Sequence, residues 1–174
     1  MKLTRVIIAT ALASSTILAG AQSASAHNDG VSTVRAATAS FHDVSAAIDA
    51  GWSIELHDLN GIACIDNPKG GMGIHYVNGP LVGDGAINAT TPEAVIYQPD
   101  SDGSLKLVAV EYVVLKADWD ALHDSEPTLF GQSFELVLAG NRYGLPDFYE
   151  LHTWLWKHNS AGMFEDWNPK VTCP

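Results

Sequence analysis

Glu111 stands in the middle of Leu107-Val108-Ala109-Val110-Glu111-Tyr112-Val113-Val114, a run that is apolar on both of its faces. Such a run is buried in a sheet, and a carboxylate there costs several kcal/mol unless it is paired, hydrogen-bonded or bound to a metal. Two histidines occupy the same kind of place: His75 within Gly73-Ile74-His75-Tyr76-Val77 and His152 within Leu151-His152-Thr153-Trp154. Two imidazoles and a carboxylate are the ligand set of a mononuclear iron, copper, zinc or manganese centre. With coordination positions left open, such a centre binds oxygen, water or a substrate. A bland alternative uses the same residues, because buried His and Glu can also satisfy each other as a structural hydrogen-bonded group. The long separations along the chain match no compact metal motif, so the residue types leave both readings open.

Other side chains extend this set. Glu93 is a candidate fourth ligand or a partner to the ligands. Tyr76 and Tyr112 are candidates to line a cavity or orient ligands through their hydroxyls, although in regular strands each points away from the face of its neighbouring His or Glu. Trp154 and Trp156, with Phe164 and Trp167, form an aromatic group that either packs on the sheet or offers a stacking platform to a sugar or another ring. Gly70-Gly71-Met72-Gly73 precedes a strand and lacks the Lys-Ser/Thr of a phosphate loop, so it reads as a tight turn. No GxSxG elbow accompanies the serines.

These residues need a sheet to position them. Met72–Val77, Glu93–Gln98, Leu105–Lys116 and Phe148–Trp156 read as strands, separated by Asn67-Pro68-Lys69-Gly70-Gly71, Asn78-Gly79-Pro80 and Pro99-Asp100-Ser101-Asp102-Gly103-Ser104. Phe130–Leu138 is ambiguous between strand and loop. In the last strand Tyr149, Leu151, Thr153 and Leu155 share one face, and Glu150, His152, Trp154 and Trp156 the other. Ahead of the strands, Val34, Ala37, Phe41, Val44 and Ile48 recur at helical spacing and predict one amphipathic helix over Thr33–Ala50, closed by Gly51. Adjacent strands joined by turns, with a helix at the start, predict an α+β fold: a helix on a curved antiparallel sheet or half-barrel.

Lys2 and Arg5, the apolar run Val6–Leu18 and Ala24-Ser25-Ala26 have the order of parts of a secretory signal peptide, residues 1–26. The remainder, 27–174, is expected to be one compact domain in the periplasm or outside the cell, with no membrane association once the leader is removed. Cleavage after Ala26 would leave His27 first, an arrangement similar to the copper-binding histidine brace of polysaccharide monooxygenases, although Asn28-Asp29-Gly30 does not continue that pattern. Outside the cytoplasm an isolated pair of cysteines is usually a disulfide, here expected as Cys64–Cys173; the rival, a reactive thiol or thiolate metal site, has no CxxC spacing to support it. Nine Lys and Arg against 20 Asp and Glu give a formal charge of −11, which removes the electrostatic footprint of a nucleic-acid binder. A hydrophobic fraction of 47% excludes a disordered chain.

Taken together, Gly71-Met72-Gly73-Ile74-His75-Tyr76, Pro92-Glu93, Val110-Glu111-Tyr112, Leu151-His152-Thr153-Trp154-Leu155-Trp156 and Gly162-Met163-Phe164-Glu165-Asp166-Trp167-Asn168-Pro169 before Cys173 resemble a group of small exported bacterial proteins of uncharacterised function. Phe41-His42-Asp43-Val44 and Ala50-Gly51-Trp52 are similar to that group's helix region. The group's usual Asn-Pro-x-Gly-Met is here Asn159-Ser160-Ala161-Gly162-Met163. The resemblance implies export and one compact domain, and carries no reaction with it. The leading expectation is a metal-dependent, oxidative enzyme for a small organic molecule, holding its transition metal with His75, Glu111 and His152. The rival is a binding module for a carbohydrate or apolar ligand, with the polar trio supporting the fold.

Overall fold

A computed structural model describes residues 30–174. The predicted leader and His27 lie outside the described residues. Nine strands follow the opening helices: β1 (Ile54–Glu55), β2 (Cys64–Asn67), β3 (Gly70–Val77), β4 (Ala94–Pro99), β5 (Leu105–Leu115), β6 (Thr128–Leu129), β7 (Gln132–Ser133), β8 (Glu135–Val137) and β9 (Phe148–Thr153). Seven of them form one open sheet in the order β1-β3-β4-β5-β9-β8, with β2 on the β1 edge of β3 and every pair antiparallel. The fold is therefore α+β as expected, and the sheet does not close. The strand Phe148–Trp156 ends earlier than predicted, at Thr153, and Phe130–Leu138 resolves into two short strands, β7 and β8.

The predicted helix Thr33–Ala50 is broken into three pieces. Residues 30–37 form helix α1, Ala39–His42 a 3-10 turn, and Val44–Asp49 helix α2. Thr38 turns its hydroxyl back to Val34 O at 2.9 Å, and Asp43 caps α2 by accepting from Ser45 N at 3.0 Å. Both are local side-chain alternatives to continuous helix hydrogen bonding. The kink reassigns the apolar stripe: Val34, Phe41 and Ala47 are buried, whereas Ala37 and Ile48 are exposed.

Alternation along the strands gives the sheet two working faces. One carries Val95, Tyr97, Val110, Tyr112, Val114, Tyr149 and Leu151 and packs on Val34, Phe41, Ala47 and Trp52. Tyr97 donates to Phe41 O at 2.7 Å and Trp52 Nε1 to Pro92 O at 2.8 Å, so this apolar layer leaves neither polar tip unbonded. The other face carries Ile96, Val108, Ala109 and Trp154, covered by Val171 of the C-terminal segment. Strict alternation from Glu111 would put Leu107 on the same face as Ala109 and Glu111, and Leu107 departs from it. A register shift at Ile96/Tyr97 sets Tyr97 opposite Leu107, so Leu107 joins the helix-side core while Ala109 stays on the Glu111 side.

Gly73 sits against this irregularity with φ 100°, and a Cβ there would lie 2.5 Å from Tyr97 O. Gly73→Ala therefore meets both a disfavoured backbone conformation and an immovable carbonyl. Urea denaturation should show a loss of about 2–4 kcal/mol.

The C-terminal segment is strapped over the second face. Cys64 and Cys173 form the expected disulfide, with Cα atoms 5.7 Å apart. Asn168 pairs with Gly71 by two backbone hydrogen bonds of 3.1 Å, and Trp154 Nε1 donates to Glu165 O. Among the described residues no helix is long and apolar enough to cross a membrane.

Candidate metal centre

Strand register assembles the cluster. Val77, Ala94, Glu111 and His152 form one row across β3, β4, β5 and β9, and His75 lies one same-face step along β3, opposite Ile96. Glu111 and His152 are direct cross-strand partners. His75 reaches Glu111 diagonally across β4, where the small side chain of Ala94 leaves room above the sheet. His75 Nε2 lies 3.5 Å from Glu111 Oε2, and His152 Nε2 lies 3.9 Å from Glu111 Oε1. The two rings meet edge to face with centroids 5.8 Å apart.

All three side chains are buried. One ligand atom from each falls within 4.8 Å of the other two. Metal–ligand bonds of about 2.1 Å place neighbouring donors about 3–4 Å apart, so a small closure of this triangle suffices. The contacts are too long for a self-satisfied hydrogen-bonded group. His75 Nδ1 and both nitrogens of His152 make no hydrogen bond among the described residues.

Burial pulls His75 down to about 4 against the opposing pull of Glu111, so its ring is neutral at pH 7. Burial also acts to lower His152, but the Glu111 carboxylate and Asp166 outweigh it and hold His152 at about 9. His152 is thus an imidazolium between acids, with Nδ1 3.4 Å from Asp166 Oδ1. A metal held at the triad would take the place of the proton on Nε2, with Asp166 standing beside the other nitrogen.

Two participants escaped nomination from the sequence. Asp166 and Glu150 join His152 in a second group of converging ligand atoms. Burial and the adjoining Glu111 push Glu150 up to about 9, so it is protonated at neutral pH. Its signal was present, since Glu150 shares the strand face of His152. Asp166 had none: it lies on an irregular segment whose placement depends on Asn168, Trp154 and the disulfide.

Several nominated residues lie elsewhere. Tyr76 points to the opposite face, where its hydroxyl donates to Glu55 Oε2 at 2.8 Å and its ring meets Tyr97. Tyr112 is in the helix-side core and donates to Ala89 O at 2.7 Å. Both follow the strand alternation. Glu93 precedes β4 and accepts from Val113 N at 3.0 Å, satisfying a backbone donor of β5 instead of joining the triad.

The aromatic platform does not form. Trp154 is core, packed with Ile96, Val108 and Val171, and stacks at 6.5 Å beside His152. Trp156 turns to the helical side, where Arg35 lies 5.0 Å over its ring and His42 meets it edge-on at 4.4 Å.

Burial pushes Glu93 up to about 8, above its ordinary 4.5. Between these values the folded protein binds more protons than the unfolded chain, so this group's stabilisation is complete below about 4.5 and is lost as pH rises through 8. Glu93→Gln keeps an acceptor for Val113 N and carries no charge. Its stability relative to wild type should rise between pH 5 and 9, by up to about 1.4 kcal/mol per unit. Parallel urea titrations across that range check the slope, and a flat difference would contradict the assignment.

Fold and site together define a class: an antiparallel α+β protein with a buried His/acid cluster able to hold a metal ion. Comparison of the chain with protein-family models, curated proteins and solved structures gives no match.

Proposed function

We propose that the protein is an exported transition-metal protein in which His75, Glu111 and His152 hold one iron, copper, zinc or manganese ion, and that it acts as an enzyme on a small organic molecule. The observation that carries the reading is the convergence of three buried donors, from three different strands, at distances too long for mutual hydrogen bonds. His152 Nε2, on the Glu111 side of the ring, has no hydrogen-bond partner among the described residues, and a cation between the three side chains would supply one. Asp166 stands 3.4 Å behind His152 Nδ1, the place an outer carboxylate takes behind a ligating histidine.

A metal with three protein ligands keeps open positions, where it supplies Lewis acidity or, as iron or copper, redox chemistry. The chain's own residues bind the ion, exclude bulk water from its protein side and keep His75 neutral. Export is supported by the leader-like first 26 residues, the disulfide and the resemblance to exported bacterial proteins.

Calorimetric titration of chelator-treated protein with Zn2+ and Mn2+ tests the reading. One equivalent should bind, and Glu111→Gln should weaken it at least about tenfold. Absence of saturable binding by either ion, and by Fe2+ and Cu2+ in parallel titrations, in protein that remains folded, overturns it.

A further inference from the structure

Next to the triad, on the same side of the sheet, lies a cavity of about 250 Å³. Its walls are apolar, built by Leu56, Val77, Leu145 and Phe148, and polar groups gather at one end only, where Glu111, Glu150 and Tyr143 meet. Register explains the adjacency. Val77 and Ala94 share the row of Glu111, and Glu150 faces Val113 in the next row, so the cavity floor continues the metal row along the sheet. Glu111 is the hinge between the two, touching His75 and His152 on one side and bounding the cavity on the other. Ile54, about half exposed, marks the mouth. Asp58 holds Arg142 at 3.0 Å, fixing the loop that carries Tyr143 and Leu145 over the cavity.

We propose that this cavity binds the substrate: a small neutral or cationic organic molecule with an apolar body and one hydroxyl or amine head group. The head sits at Glu111 and Glu150, facing the metal positions, and the body lies among Leu56, Val77, Leu145 and Phe148. The inference rests on the metal-site reading for the word substrate, but the binding itself does not. Size follows from volume. A dry cavity of about 150 Å³ accommodates benzene, so this one takes a body of about 6–12 non-hydrogen atoms. Head-group chemistry follows from the lining, since the Glu111 carboxylate at the polar end accepts from a hydrogen-bond donor and repels an anion. The net charge of −11 acts in the same direction at longer range. Carboxylates, phosphates and sugars with many hydroxyls fit neither the charge nor the apolar walls.

The test uses benzyl alcohol, benzylamine and benzoate as probes, with chemical-shift titration of the isotope-labelled protein in the presence of EDTA. Benzyl alcohol and benzylamine should bind saturably with Kd of about 0.1–1 mM, as expected for so few atoms. The amides of Val77, Ala94 and Val113 should shift, and benzoate should bind at least tenfold more weakly. Leu145→Trp fills the cavity and should weaken benzyl alcohol at least tenfold, with Val82→Phe as a second filling variant should the first not fold. Saturable binding that both filling variants weaken supports the proposal whatever the metal titration returns. No binding of the alcohol or amine, or benzoate binding as tightly as they do, overturns it even in a protein that holds metal.

Discussion

Alanine at His75 or at His152 should weaken metal binding by at least about 100-fold, because loss of an outer partner alone costs about 10–100-fold and in the proposed site these residues are the ligands themselves. The two variants should then part company in metal-free protein. His152 lies between Glu111 and Asp166, and its removal leaves two carboxylates facing each other in a buried space. Breaking a buried charge network in this way costs about 3–5 kcal/mol. His75 is neutral, and its loss is mainly a cavity beside Glu111. The cost of His75→Ala should therefore be smaller, about 1–3 kcal/mol. Paired metal titrations and urea denaturation curves in EDTA separate the two effects. Equal, small losses of stability with metal affinity unchanged would mean that the imidazoles serve neither role.

The second large effect belongs to the disulfide. Cys64 and Cys173 close a loop across a sequence separation of 109, for which chain entropy gives about 4–5 kcal/mol. The double Cys→Ser variant should lose most of that in equilibrium unfolding. It should also loosen the site in a particular way. The C-terminal strap carries Asp166 and is otherwise held by Trp154 and by the Asn168–Gly71 pairing. Protection of the Asn168 and Gly71 amides from hydrogen exchange should fall more than that of Val110 or Val114 in the centre of β5. A uniform loss across the molecule would show that the bridge stabilises the fold without governing the strap.

What was readable in the sequence followed from burial and alternation. Glu111, His75 and His152 stood out because each interrupts an apolar strand, and antiparallel pairing then set Glu111 opposite His152. The same alternation already pointed Tyr76 and Tyr112 to the far face. Cys64–Cys173 needed only the count of cysteines and an oxidising compartment. The misses arose where side chains compete with backbone pattern or where distant segments fold over one another. Thr38 and Asp43 break a helix whose apolar spacing is unbroken. The register shift at Ile96/Tyr97 turns Leu107 to the other core, which periodicity alone does not reveal. Trp154 and Trp156 looked like one aromatic group, yet the chain leaves the strand between Thr153 and Trp154, and their rings go to opposite sides. Asp166 arrives from a strap with no regular structure, and no local pattern announces it.

Elemental analysis of tag-free protein, exported and purified without chelators, tests the central claim most directly. Close to one equivalent of iron, copper, zinc or manganese per chain is expected, absent from the His75→Ala/His152→Ala double variant. A wild-type protein that is folded, disulfide-bonded and free of all four metals, and that stays free of them after incubation with each, would contradict it.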